Sequence, residues 1–344
     1  KIDDFNLGDN EGVGYFPVNQ RRGVRVSTAN AFLWPGRHRE NLTVLTHAQA
    51  ERLRFEGRRA SGLDFDLKGQ PARASARREV ILATGSVGSP QLLQLSGIGP
   101  GGLLQEHGIP VRHELPGVGE NLQDHLQIRT VFKVKNVKTL NERANSLLGR
   151  VGMGLEYIFF RRGPLTMAPS QLGGFAKSDP SRETANLEYH IQPLSTEKLG
   201  DPLHPFPGIN ASVCNLRPQS RGFVRISSPD FRAMPKIQPR YLSDPADGKV
   251  AADAIRLTRR ICAAKAMARY EPEEFKPDHA DHHLGEHQLA DRDDRREGGG
   301  DDPRGRARRI APAARTRASG SRSRDSSRCS RSSRRAGGTS AGSA

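Results

Sequence analysis

Cysteine and long apolar runs are scarce in this chain of 344 residues, and each scarcity removes a class of protein. Only Cys214, Cys262 and Cys329 occur, odd in number and far apart, so neither a disulfide framework nor a zinc-ligand pair is suggested. A reducing, cytoplasmic compartment is the expectation. No apolar run approaches the roughly 18 residues that a membrane span needs, and no signal peptide precedes the first motif. A transmembrane segment is not expected; peripheral attachment to a membrane stays open as an alternative. The chain starts at Lys1, without methionine, from which a piece of a longer protein is expected.

Apolar residues are also missing from one end. Between Asp291 and Ala344 the only large apolar side chain is Ile310, while 15 arginines face 7 acidic residues. Half of the net charge of +16 lies there. Such a segment cannot offset its conformational entropy by burial and is expected to be disordered. Lysine is absent after Lys276, and the sequence turns to arginine, alanine, glycine, serine and aspartate, as GC-rich codons read out of frame would give. A shift of reading frame shortly after Pro277 is the expectation. The arginines of Arg315 to Arg335 could neutralise phosphates, yet no aromatic is interleaved to stack on bases. Nonspecific electrostatics is all they offer, and no specific nucleic-acid partner is expected. His279, His282, His283 and His287 have spacings that could bind zinc or nickel adventitiously; neighbouring aspartates make the run look like solvated low-complexity sequence, and no functional metal site is expected.

What is present is concentrated between Arg78 and Gly99. Val80 to Ala83 form a short apolar run closed by Thr84-Gly85, as for a central strand ending where a ligand approaches. Ser89 and Pro90 read as the N-cap and first residue of a helix, and a helix N-terminus beside a glycine suits an anionic cofactor. Upstream, Asn41 to Thr46 and Gln49 to Phe55 read as strands, and Gly57, Gly62 and Gly69 punctuate a meander that feeds Val80. Downstream, a short helix from Gly102 ends at Gly108. A strand over Leu126 to Val134 precedes a helix over Glu142 to Arg162, with Leu147, Leu148, Val151, Leu155 and Ile158 on one side. Leu187 to Gln192, Asn210 to Leu216 and Gly222 to Ile226 give an antiparallel sheet. A helix from Pro245 to about Met267 follows.

Gly97, Gly99 and Gly102 satisfy G-x-G-x-x-G, but they follow a helix where the dinucleotide fingerprint follows a strand, and Pro100 interrupts them. Gly12-x-Gly14 lacks both the third glycine and a preceding strand. No credible ADP-binding fingerprint is present.

Ser89-Pro90, Leu92-Leu93 and Ser96-Gly97-Ile98-Gly99 resemble the second signature of the glucose-methanol-choline (GMC) family of flavin oxidoreductases. The resemblance continues through RVSTANAFLWP (Arg25 to Pro35), NLTVLT (Asn41 to Thr46), LPGVGENLQDH (Leu115 to His125) and SRGFVRISSPDFRAMPKIQPRYLSDPAD (Ser220 to Asp247). It covers roughly Glu11 to Pro277 and is nearest to choline-dehydrogenase-like members.

The resemblance implies a mixed α/β (α+β) fold. Part of a Rossmann-like FAD-binding domain would occupy 1–125 and an antiparallel-sheet substrate domain 126–244. A helix over 245–277 would return toward the FAD domain, and the basic tail would fill 278–344. It implies FAD as cofactor, with Ala83, Thr84 and Gly85 forming the turn near the flavin. Ala50 matches the position whose backbone meets the adenine, although a plain strand residue is an equal reading. It further implies oxidation of a small, choline-like primary alcohol to an aldehyde, with an external electron acceptor. The family's catalytic histidine, in a His-Pro-x-Gly-Thr context, has no counterpart after Pro277; His204-Pro205 imitates it too early in the chain. The catalytic residues are therefore unassigned, and the chain alone is expected to be inactive. The alternative is a noncatalytic binding protein whose Arg/Ser-rich tail contacts nucleic acid or acidic partners.

Overall fold

A computed structural model describes residues 1–8, 10–168, 170–198 and 200–279, all within one contact unit, Lys1–Glu297. The basic tail, Cys329 and the histidine cluster beyond His279 lie outside the described residues.

Six antiparallel strands make the largest sheet, in the spatial order Gly12–Tyr15, Leu172–Ala176, Leu187–Gln192, Gly208–Asn215, Gln127–Lys133 and Glu273–His279. Strand side chains alternate between faces, and here one face is apolar. Ile128, Leu187, Tyr189 and Val213 pack on Val250, Ala251, Ala254 and Ile255 of the helix Pro245–Cys262. Alanines at the contact let the helix backbone approach the sheet, and each large aliphatic side chain buried there contributes about 1.5–3 kcal/mol. The helix start is sharply set. Asp244 accepts from Ala246 N at 2.9 Å and Pro245 takes the first helical position, where its missing N–H costs nothing. The helix stops at Cys262, short of Met267, and a 3-10 helix, Lys265–Tyr270, follows.

The meander forms as expected from Ala48–Glu56, Arg59–Leu67 and Gln70–Ser75, turning at Gly57 (φ +57°) and Gly69 (φ +84°). The two strands expected beside it do not form. Asn41 to Thr46 and Val80 to Ala83 have no strand partner among the described residues, and Ile81 is 77% exposed. Both carry the composition of a buried strand, but a strand exists only through its ladder, and a central one needs a neighbour on each side. The helix after them, Gly85–Leu95, begins one turn earlier than Ser89-Pro90 predicts. Thr84 holds the N-cap position, and Ser89 and Pro90 lie within the helix, with the Thr84 and Ser89 hydroxyls 3.0 Å apart.

Two further expectations change in detail. The helix over Glu142 to Arg162 is two helices, Leu140–Asn145 and Leu147–Phe160, broken at Ser146, whose backbone is extended (ψ 135°) and whose Oγ caps the second by accepting from Gly149 N at 3.4 Å. Its apolar side stays uncovered: Leu148 is 84% and Phe159 72% exposed. The strand Gly222–Arg225 leaves the large sheet for a separate one of three strands, between Lys236–Gln238 and Glu120–Leu122.

Candidate functional site

The four residues that the resemblance points to fall on two neighbouring elements. Ala50 lies half-buried in the first meander strand, opposite Phe65 and beside a break in the ladder register between Ala50 and Arg52. Ala83, Thr84 and Gly85 are exposed at the start of the Gly85–Leu95 helix. That helix packs against the Ala48–Glu56 strand, and Leu53 N donates to Ser96 Oγ at 2.8 Å across the contact. Gly85 has φ +81° with nothing within 4 Å of where a Cβ would stand. The turn therefore presents backbone to open space, and the amides of a first helical turn are free to meet an anion.

Sequence reasoning passed over the residue that holds these motifs together. Gln94, fully buried in the signature helix, donates from Nε2 to Val118 O and Val224 O, both at 3.1 Å, and its Oε1 accepts from Ile226 N at 2.9 Å. One amide thus joins three separate motifs. Gly119 is required beside it: with φ +82°, any Cβ would collide with Val224 O and Gln94 Nε2. Asp247 has a similar role at the start of the Pro245–Cys262 helix. Its buried carboxylate accepts from Gln219 N (2.8 Å), Ser220 N (2.8 Å), Ser220 Oγ (2.6 Å) and Asn215 Nδ2 (3.2 Å).

The face of the six-stranded sheet away from the long helix is polar. Because Tyr189 and Val213 point to the helix, their neighbours Glu188, His190 and Gln192, paired with Cys214, Ser212 and Asn210, point the other way. Glu188 Oε1 lies 3.5 Å from His190 Nε2, and Phe16 stacks on the His190 ring at 5.1 Å between centroids. Asn210 Nδ2 donates to Gln192 Oε1 at 3.2 Å, and Gln192 Nε2 donates to Ser170 Oγ at 2.9 Å. Glu188 and His190 remain partly open to solvent. This face can offer a carboxylate and an imidazole to a small polar molecule. No short motif encodes it, because alternation along a strand is its only signal.

His204 sits elsewhere. Its Nδ1 is 3.1 Å from Ser195 Oγ and its Nε2 3.4 Å from Glu197, which imitates a Ser-His-acid triad. Ser195, however, is fully buried and bonded to Asn141, and the His204 ring lies stacked on Phe206. A nucleophile without access can do no chemistry, so the arrangement serves packing. A cavity of 450 Å³ lies among Lys138, Arg143, Gly163, Met167, Gln171 and Pro193. A second, of 270 Å³, adjoins Phe55 and Arg112. A third, beneath the long helix at Asp247, has 20 Å³, too little for a cofactor. None of the three is lined by Ala50, Ala83, Thr84 or Gly85.

Comparison with known proteins agrees with the motifs. Family models described as GMC oxidoreductase match residues 2–127 and 218–305, the second running past Pro277, the end of the resemblance given above. The chain is 41% identical over 277 residues to an alcohol dehydrogenase [acceptor] of Pseudomonas putida, covering 80% of this chain and 50% of that protein. It is 40% identical over 280 residues to an oxygen-dependent choline dehydrogenase of Chromohalobacter salexigens, with the same coverage. It spans about half the length of the curated relatives it matches. Among solved structures, the pyridoxine 4-oxidase of Mesorbium loti superposes with a TM-score of 0.67 at 26% identity, over 83% of this chain and 51% of that one. A formate oxidase does so with a TM-score of 0.69 at 22% identity, over 77% and 50%, which supports the fold. The motifs, the matched models and the superposed flavoenzymes lead to one assignment: the chain belongs to the GMC oxidoreductase family, whose cofactor is FAD.

Proposed function

We propose that this chain is the sheet-bearing part of an FAD-dependent dehydrogenase that oxidises a choline-like primary alcohol to its aldehyde, with an external electron acceptor. The observation that carries the proposal is the polar sheet face, where Glu188 and His190 stand side by side above a helix-packed core. The relatives named as alcohol and choline dehydrogenases support the substrate class. In this reading residues 1–125 belong to the FAD domain and residues 126–244 form the substrate domain, on whose sheet the helix Pro245–Cys262 packs in place of a helix over 245–277 returning to the first.

The predicted FAD contacts fit part of that cofactor. Thr84-Gly85 offers exposed backbone at a helix start with open space before it, suited to a dinucleotide edge, and Ala50 is small and half-buried on the adjoining strand. A glycine-rich strand-to-helix turn for the pyrophosphate is absent among the described residues. A bound FAD would supply the hydride-accepting chemistry for oxidation at the alcohol carbon. The chain's own part is to place the alcohol. The Glu188 carboxylate faces the substrate and favours a cationic one, while Gln192 and Asn210 fix the neighbouring polar surface. The catalytic base is not among the residues assigned.

Weak FAD binding and no turnover follow for this chain alone. Flavin titration and choline-dependent dye reduction test both. Stoichiometric flavin with turnover would refute the reading as an inactive part, whereas a longer protein containing this sequence that reduces dye with no primary alcohol would refute the activity.

No helix among the described residues is long and apolar enough to cross a membrane. For location, we propose a cytoplasmic protein attached peripherally to lipid through the helix Leu147–Phe160. Its exposed Leu147, Leu148, Ile158, Phe159 and Phe160 are neighboured by exposed arginines, Arg150, Arg161 and Arg162, the pattern of an in-plane helix on an anionic bilayer.

A further inference from the structure

Three elements that no sequence spacing connects bring metal-ligating atoms to one point on the sheet. Cys214 and Glu188 are directly opposed across the ladder. His125, at the end of the Leu115 to His125 motif, is held against them by its Nε2, 3.1 Å from Leu216 O. The Cys214 Sγ, a Glu188 carboxylate oxygen and a His125 ring nitrogen all lie within 4.8 Å of one another. A carbonyl can only accept, so Nε2 carries the proton and Nδ1 the lone pair. That is how ligating histidines are oriented, with the second nitrogen donating to a backbone carbonyl.

We propose that Cys214, Glu188 and His125 form a binding site for a borderline-soft divalent cation, zinc by preference. Sulfur, nitrogen and carboxylate oxygen are zinc's usual donors, and three protein ligands leave the fourth tetrahedral position to water. With metal–ligand bonds of about 2.0–2.3 Å, tetrahedral donors stand roughly 3.3–3.8 Å apart, so small rotamer changes close the set. Cys214 is 4% exposed, and the Glu188 carboxylate, on the residue directly across the ladder, favours an incoming cation. Binding exchanges the thiol proton for the metal: the S–H bond breaks, the proton passes to water and a metal–thiolate bond forms, with no change of oxidation state. His190, beside Glu188 at 3.5 Å, competes for that carboxylate and is displaced from it. His125 is exposed and gives the cation its way in. A metal held there ties the loop after Glu120–Leu122 to the large sheet, and this holds whether or not the proposed activity is right.

The test is titration of the whole chain, stripped with chelator, with Zn²⁺ by calorimetry and with Co²⁺ by absorption. The expected result is a thiolate-to-cobalt charge-transfer band that Zn²⁺ abolishes. Cys214→Ser should remove the band, Cys262→Ser and Cys329→Ser should keep it, and His125→Gln and Glu188→Gln should each weaken Zn²⁺ by about tenfold or more. His125 is at the surface, so its variant keeps the test meaningful should Cys214→Ser fail to fold, as circular dichroism would show. Absence of a thiolate band, or equal Zn²⁺ affinity in the His125→Gln protein, would overturn the proposal; metal bound only through the histidines from His279 onward would give that second result.

Discussion

Replacing Gln94 by leucine tests whether one buried amide holds the family's motifs together. Leucine keeps nearly the same volume and removes three hydrogen bonds, those to Val118 O, Val224 O and Ile226 N. The Ile226 N–H then has lost its partner in a site that water does not reach, because Gln94 itself is 0% exposed. An orphaned buried N–H costs about 1–3 kcal/mol and each lost carbonyl bond about 1 kcal/mol. Leucine's own burial returns about 1–2 kcal/mol. The net loss is about 1–4 kcal/mol, a large share of the roughly 5–15 kcal/mol by which domains are stable. Urea denaturation followed by circular dichroism measures it. Gln94→Glu discriminates between the two explanations. Glutamate keeps the acceptor for Ile226 but turns the donor into an oxygen facing two carbonyl oxygens, so it should be worse than leucine. A leucine variant as stable as the parent, or a glutamate variant as stable as the leucine one, would refute the reasoning.

Asp247→Asn should cost about 2–4 kcal/mol, because an amide puts N–H groups against the donors of Gln219 and Ser220 and loses charge-assisted bonds; a double-mutant cycle with Ser220→Ala should show coupling, and additive losses would count against it. Stability should fall as pH rises above about 9. Burial raises Cys214 and Tyr189 to about 12 and Cys262 to about 11, from ordinary values of 9.0 for the thiols and 10.0 for the phenol. The unfolded chain therefore loses these protons first: the stabilisation is complete below pH 9 and is lost on rising through 11–12. A urea midpoint that stays level from pH 8 to 11 would contradict this. The chain should co-sediment with vesicles containing anionic lipid, and Leu148→Ser with Phe159→Ser should weaken that by about a hundredfold or more, given about 1.5–3 kcal/mol for each large apolar side chain; unchanged sedimentation would remove the lipid assignment.

Much of the fold was legible because its elements close on themselves. The meander carries its own turn glycines, and the Pro245–Cys262 helix has its cap, its first-turn proline and an apolar stripe within one stretch of sequence. Asn41 to Thr46 and Val80 to Ala83 show the limit. Their composition is that of buried strands, yet pairing is a property of neighbours, and the described residues supply none. The helix Leu147–Phe160 shows another: periodicity found its apolar side, but only packing decides whether such a side is buried, and this one is exposed.

The candidate site was illegible for a related reason. The motifs that reveal the family converge on Gln94 and Asp247, groups that bond backbone from distant segments and tolerate little change. They mark the scaffold. Glu188 and His190 fall between those motifs, and only ladder register puts them on the open face. Shifting the strand Leu187–Gln192 by one residue would bring Tyr189 there and send Glu188 into the core. The apolar contacts of Leu187, Tyr189 and Val213 with the long helix therefore do more than stabilise the sheet. They forbid that slip, and so decide which side chains a substrate or a metal ion can meet.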